Sequence, residues 1–393
     1  MRQRLVSLDV MRGGTVALMI QVNNPGSWQW RPVYQLTHAY WHGCALTDLV
    51  FPFFLFAMGG AMALSVERRR RDGEATTSLL RHAARRGLTI VLIGLVLSAF
   101  PFGLPLDPTA LRAFSFASIA HSLAELRLPG VLQRIGAAWL LATPIIILLP
   151  QRRRRLAAGL GLVLLYELAM RLPLVAGWGR GSFEAPDNLA RWIDLHVIGA
   201  AHMLSVGVQG GSDPEGLLPT LNAAATTLLG FAAVSWLERE ALSTRRLLRL
   251  GLAGLGAAGL ARLAVPLEPI NKSLWTTTYV LFSGGLAMTA LALAAWLVDV
   301  RGWRRPLRPF EAAGYNPMLM FFGSGLLARV LLYSRWSVGG GARPQALRTL
   351  LYEHAFVPWA GPEWGSLLFG TAQVVIWMAV AWWLYRRGWA WRV

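Results

Sequence analysis

The sequence predicts an all-α fold, a polytopic transmembrane helical bundle of about ten spans with both termini cytoplasmic. Two observations carry that reading. The 393 residues are 55% hydrophobic and only 15% charged, with a mean hydropathy of +0.44, whereas a soluble domain holds about 25% charged residues. The basic residues, almost all arginine, gather in short runs between apolar segments: Arg68 to Arg71, Arg152 to Arg155, Arg245 and Arg246, Arg304 and Arg305, Arg386 and Arg387. That placement is the pattern of cytoplasmic loops. It excludes the nucleic-acid role that a net charge of +18 would otherwise suggest. The lone cysteine, Cys44, forbids an internal disulfide.

A span takes roughly 20 apolar residues. On that measure ten spans fall at about 5–22, 45–66, 87–105, 130–150, 156–174, 217–237, 250–266, 275–298, 315–333 and 366–385. They form a single transmembrane domain, 1–393. With a cytoplasmic N-terminus the inner loops and termini carry 24 Lys and Arg and the outer loops 9, which sets the orientation. Arg2 and Arg4 before an apolar stretch imitate a signal peptide. Asp9 and Arg12 interrupt that stretch and no small-residue cleavage site follows, so the first span is expected to be retained. The long outer loops, 23–44, 106–129 and 175–216, are rich in Trp, Pro, Gly and His. The crowding of Trp28, Trp30, Tyr34, Tyr40 and Trp41 reads either as an interfacial aromatic belt or as a sugar platform.

Charges inside spans mark functional sites or buried pairs. Glu167 and Arg171 are spaced for a local ion pair, as are Asp9 and Arg12. Arg134 has no local acid and needs a carboxylate from another helix or an anionic ligand. Asp48 opens the second span, where an acid satisfies free N–H groups. Ser212 and Glu215, around Asp213–Pro214, have capping-box spacing. His38 and His42 stand just before the second span. Their spacing of four suits a metal, but no third ligand has metal-site spacing and Gly43 argues against a continuing helix. Acid–base chemistry is the better use, since imidazole titrates near neutral pH. No phosphate loop, Gly-x-Ser-x-Gly elbow, dinucleotide fingerprint or two-fold hydropathy repeat is found.

Several short motifs resemble the heparan-α-glucosaminide N-acetyltransferase family of transmembrane acetyltransferases, in particular its bacterial NagX-type members. They are Ser7–Leu8–Asp9–Val10–Met11–Arg12–Gly13, Val22–Asn23, His38–Ala39–Tyr40–Trp41–His42–Gly43 and Thr47–Asp48–Leu49–Val50–Phe51–Pro52. Pro129–Gly130–Val131–Leu132–Gln133–Arg134, Asp213–Pro214–Glu215–Gly216, Pro269–Ile270–Asn271–Lys272–Ser273–Leu274–Trp275 and Gly314–Tyr315–Asn316 follow in order. The resemblance implies an enzyme that takes acetyl-CoA from the cytosolic face and acetylates the amine of glucosamine, or of a terminal glucosamine unit, on the opposite face. It implies His38 as general base or acetyl carrier, with Asn23 and Asp48 as polar partners. Trp41, His42, Asp213, Glu215, Lys272 and Asn316 would contact the acceptor, and Arg12, Arg134 and Asp9 the CoA. The expected partners are acetyl-CoA, an amino sugar and the lipid bilayer, without metal; a homodimer is an allowed state. The lysosomal relatives have Asn where His42 stands and carry an extra luminal domain not found in this sequence, which points to a small amino sugar and a bacterial inner membrane. An amino-sugar transporter and an O-acetyltransferase acting on a surface glycan are the alternatives.

Overall fold

The computed structural model describes residues 5–106, 115–172, 175, 181–204, 211–337 and 344–391. Arg2, Arg4, Arg112, Arg180, Arg343 and Arg392, all used in the charge count, lie outside the described residues. The chain is mostly helical. In order the helices are α1 Val6–Asn23, α2 Val50–Arg71, α3 Thr76–Ala99, α4 Phe116–Ala124, α5 Val131–Leu148, α6 Arg152–Arg171 and α7 Leu189–Val197. Then come α8 Thr220–Leu237, α9 Thr244–Leu263, α10 Thr277–Ala295, α11 Arg308–Tyr315, α12 Pro317–Tyr333, α13 Leu347–Ala355 and α14 Val357–Arg386. A two-residue antiparallel pair, β1 Arg335–Trp336 with β2 Gln345–Ala346, closes the loop after α12.

A helix stands at each of the ten expected positions. Among the described residues, six are long and apolar enough to cross a membrane: α2 with its leading turn, α3, α5, α8, α10 with its following turn, and α14. The pair α11 and α12, bent by 83° at Asn316, raises the number to seven. The helices α1, α6 and α9 fall outside that set. The first carries Asp9 and Arg12, and the other two begin in arginine runs, which lowers their hydropathy.

Close backbone approach holds the centre. A Cβ on Gly59 of α2 would lie 1.8 Å from the Thr227 carbonyl oxygen of α8, and one on Gly230 would lie 1.9 Å from that of Phe56. The two helices therefore meet backbone to backbone, as small residues allow in membranes. The same reciprocity joins α1 to α11 through Gly13 and Gly314, each with a Cβ position 1.8 Å from a carbonyl oxygen of the other helix. Helix α8 keeps Asn222, Thr226 and Thr227 buried; the two threonine hydroxyls donate to carbonyls one turn back, a local way to satisfy hydroxyls away from water.

The bundle has two chemically different ends. At one, Arg155 at the start of α6 meets Glu67 near the end of α2 at 3.4 Å, Arg70 donates to the Ile147 carbonyl, and Arg246 donates to the Trp236 carbonyl at 2.6 Å. These three arginine runs gather at one end of the bundle, the arginine end. The opposite, histidine end is built from the loops after α1, α3, α6 and α9.

Candidate functional site

At the histidine end the loop from Asn24 to Leu49 folds back over the bundle. Thr47 Oγ1 donates to the Gln35 carbonyl at 3.1 Å, and the Leu46 N–H donates to Gln35 Oε1 at 3.0 Å. This brings Asp48 under His38. The Asp48 side chain, 1% exposed, uses both oxygens. Its Oδ2 accepts the Ala45 N–H at 2.9 Å and the Ala39 N–H at 3.1 Å, so it organises the turn at the helix start and the loop above it. Its Oδ1 lies 2.6 Å from His38 Nδ1. A carboxylate at that distance favours the tautomer in which Nδ1 carries the proton, and Nε2 keeps its lone pair. The His38 side chain is 38% exposed.

Lys272 comes from the loop between α9 and α10. Its Nζ lies 3.1 Å from His38 Nδ1 and 3.7 Å from Asp48 Oδ1. Partial burial holds the His38 pKa below the ordinary histidine range; the Lys272 charge works the same way and the Asp48 hydrogen bond opposes it. The imidazole is therefore neutral, and able to accept a proton, at neutral pH. Cys44 close by is no rival nucleophile: burial, and then Asp48, push its thiol up to about 12.

Below this group, Tyr279 donates to the Asp48 carbonyl at 2.5 Å and packs edge-on against Trp275, which packs edge-on against Phe51. Trp275 is wholly buried at a positive φ of 48°. Its carbonyl accepts from Asn222 at 2.8 Å. The loop that carries Lys272 is thus anchored in the core on α8.

Trp41 is buried and donates from Nε1 to the Phe183 carbonyl at 2.9 Å. His42 is exposed, with Nε2 3.0 Å from Glu184 Oε1 and Nδ1 3.3 Å from Asn271 Nδ2, which also donates to the Trp41 carbonyl at 3.0 Å. Asn23 is exposed at the end of α1. The last turns of that helix, through Ile20 and Val22, share an apolar cluster with Val50 and Leu36, on the His38 side of the bundle.

Asp213 and Glu215 are near in the fold but differently employed. Arg127 clamps Asp213 through Nε at 3.1 Å and Nη2 at 2.8 Å, and reaches Glu215 at 2.6 Å. Asp213 also accepts the Leu204 and Glu215 N–H groups. Its side chain is 0% exposed and that of Glu215 7%. The capping box expected between Ser212 and Glu215 is not formed. Helix α8 starts only at Thr220, and Ser212 Oγ donates to the Ala185 carbonyl instead. Arg134 is 2% exposed, donates to the Gly216 carbonyl at 2.9 Å and lies over the Trp275 ring. Its Nε and Nη1 have no hydrogen-bond partner among the described residues. The Glu167–Arg171 pair forms at 2.8 Å, as its spacing predicts.

One expected site residue lies at the wrong end. Asn316 was placed near the outer face with His38, but it sits at the break between α11 and α12. There its Nδ2 donates to the Trp389 carbonyl and its Oδ1 accepts the Trp391 N–H, both at 2.8 Å. The arginine-rich turn at 301–308 leads directly into α11, so this break belongs to the arginine end. Asp9 and Arg12, paired at 3.2 Å, lie there too.

That end opens into a cavity of about 680 Å³. Arg12, Arg68, Arg69 and Arg86 line it together with the apolar Trp139, Met58, Ile135, Phe321, Phe54, Ile90 and Leu132. Along α2 the lining runs from Arg69 to Phe54, roughly 22 Å at 1.5 Å per residue. Phe54 is six residues from Asp48, roughly 9 Å along the same axis. Arg86 stacks over Trp139 at 4.4 Å, and its buried Nε has no partner among the described residues. A lining that joins four arginines to an apolar surface along α2 suits a ligand with phosphates at one end and a long thin arm at the other. Arg134 lies outside the lining of this cavity.

Sequence reasoning passed over Arg127, counted only as a loop charge although it stands two residues before the Pro129–Gly130 motif. It also passed over Asn271 within its own quoted motif, over Glu184, and over Arg68, Arg69 and Arg86, read as topological signals.

The fold and these two ends define a polytopic helical membrane protein with an imidazole–carboxylate pair at one face and a basic cavity entering from the other. Residues 4–179 match the family model described as Heparan-alpha-glucosaminide N-acetyltransferase, catalytic. The human heparan-alpha-glucosaminide N-acetyltransferase is 27% identical over 367 residues, covering 81% of this chain and 52% of the human protein. The mouse protein of the same name is 24% identical over 437 residues, covering 99% of this chain and 60% of its own length. By these matches the chain is similar to the heparan-alpha-glucosaminide N-acetyltransferases, through the catalytic family model over residues 4–179 and through both relatives over most of its length. It spans between about half and three-fifths of the length of the curated relatives it matches. His38, Asp48, Asn23, Arg12, Arg127 and Arg134 fall within the matched segment; Asp213, Glu215, Lys272 and Asn316 lie beyond it.

Proposed function

We propose that the protein is a transmembrane acetyltransferase that moves the acetyl group of cytosolic acetyl-CoA to the amine of glucosamine, or of a terminal glucosamine unit, on the opposite face. One observation carries this: the basic cavity runs the length of α2 toward the His38–Asp48 pair. The arginine end faces the cytoplasm, with both termini there and ten helices crossing in one domain, in keeping with the positive-inside rule. The membrane is a bacterial inner membrane.

The CoA phosphates rest on Arg12, Arg68, Arg69 and Arg86, and the pantetheine arm carries the thioester toward the histidine end. His38 Nε2 takes a proton from the acceptor ammonium. The freed amine attacks the thioester carbonyl and the C–N bond forms. The C–S bond then breaks, the CoA thiolate receives the proton from the imidazolium, and the second proton that the nitrogen sheds on becoming an amide is released to solvent. Asp48 fixes the tautomer and offsets the positive charge that develops on the ring, the third-group role in such sites. Asn23, an amide at the same end, donates to the oxyanion. Trp41 and His42 border the acceptor site.

Acetyl-CoA and glucosamine added to purified protein in nanodiscs test this. Release of free CoA thiol together with N-acetylglucosamine identified by mass, both lost in His38→Ala, is the expected result. An O-acetyl product, or uptake of labelled glucosamine into vesicles without thiol release, would overturn it in favour of O-acetylation or transport.

A further inference from the structure

The larger cavity at the arginine end is a different one. It is a groove of about 1160 Å³ among α2, α6, α8 and α10. Its long wall is apolar, with Leu156, Leu160 and Val163 of α6 facing Leu228 and Ala232 of α8. Its floor is basic: Arg68, Arg71, Arg152, Arg155 and Arg239, against Glu67 and Glu238. Arg155 spends its Nε on the Leu149 carbonyl and its Nη1 on Glu67, and Arg71 spends its Nε on the Glu67 carbonyl. Five arginines over two glutamates still leave a surplus of positive charge.

Three further features fit one kind of occupant. Leu156, Leu160, Leu164 and Leu168 of α6 are about half exposed, so this helix presents apolar surface outward. Gly159 opens the wall: a Cβ there meets nothing nearer than Leu228 at 3.5 Å. The Ser235 hydroxyl lines the groove, buried and without a partner among the described residues. A small soluble anion would leave the apolar wall unfilled, and a neutral lipid would leave the arginines uncompensated. We propose that the groove is a binding site for an anionic phospholipid, with its phosphate on the arginine floor, its ester region at Ser235 and its acyl chains along α6 and α8. Arg68 lines both this groove and the smaller cavity, so the headgroup adjoins the latter.

Native mass spectrometry of the protein released from phosphatidylglycerol or phosphatidylcholine nanodiscs tests the site. The wild type is expected to retain phosphatidylglycerol and not phosphatidylcholine. Retention should fall about thirtyfold in the Arg71→Gln/Arg152→Gln variant, at roughly a factor of five per surface arginine. Gly159→Leu, which fills the wall without touching the charges, should lose the lipid as well while keeping the wild-type melting temperature. Equal retention of both lipids, unchanged retention in both variants, or displacement of the lipid by inorganic phosphate as readily as by short-chain phosphatidylglycerol would overturn the proposal. So would a lipid-free dimer, which would make this face a contact between copies of the chain.

Discussion

Two acidic groups at the histidine end, Asp48 and the Asp213–Glu215 pair, are both withdrawn from solvent yet are used differently. Asp213 and Glu215 meet a guanidinium whose fork occupies them, and every remaining lone pair on Asp213 faces a backbone N–H. On Asp213 all four acceptor positions are taken, while Glu215 meets Arg127 through one oxygen. Asp48 holds its turn with one oxygen and spends the other on an imidazole, whose second nitrogen stays open. An arginine partner, always charged, closes a carboxylate site; a histidine partner passes its polarity outward.

Replacement of His38 by Ala should break the comparison most sharply. Transfer per folded molecule is expected to fall by about 10²- to 10⁴-fold, the usual share of a general base, with an unchanged melting temperature. Near-normal turnover would remove the site. The matching change at the closed site, Arg127→Gln, should act on stability. It strands two buried carboxylates, at a cost of about 3 kcal/mol, read as a lower midpoint in a thermal or denaturant melt. A variant as stable as the wild type would show that these acids are free to serve a ligand.

Asp48→Asn removes the tautomer control and is expected to slow transfer by up to about 10⁴-fold. It also separates the two effects on His38 by pH. His38 acts when neutral, so kcat/KM falls as pH drops through its pKa, which lies below the ordinary value of about 6.5. Asp48 raises that pKa and Lys272 lowers it. The acid limb should move to lower pH in Asp48→Asn and to higher pH in Lys272→Met; shifts in the same direction would contradict the geometry. The smallest effect is expected at the far end. Arg86→Gln should raise the KM for acetyl-CoA about tenfold, the worth of one charge-assisted hydrogen bond, and leave the acid limb in place.

The resemblance and the local spacing found much of the site before any fold was known. His38 and Asp48 are ten residues apart and share one loop, so a short turn suffices to join them. Lys272 comes to the same histidine from 234 residues away, and its partnership depends on how α9 and α10 pack. The charge count puts Asn316 at the outer face with His38, although the span at 315–333 starts right after an inner arginine turn, so its first residues belong to the arginine end.

The sequence by itself determined the membrane class, the ten helix positions, the separation of the arginine runs from the histidine loop, and the Glu167–Arg171 pair. Each follows from composition or from the fixed rise and turn of a helix, which act within a few residues. Only the tertiary structure decided that Arg127 pairs with Asp213 and Glu215, that Arg134 reaches the Gly216 carbonyl, and that a cavity with basic residues in its lining lies along α2. Those outcomes rest on backbone contacts such as Gly59 against Thr227 and Gly13 against Phe310. They set which distant side chains meet, and no local rule of spacing encodes them.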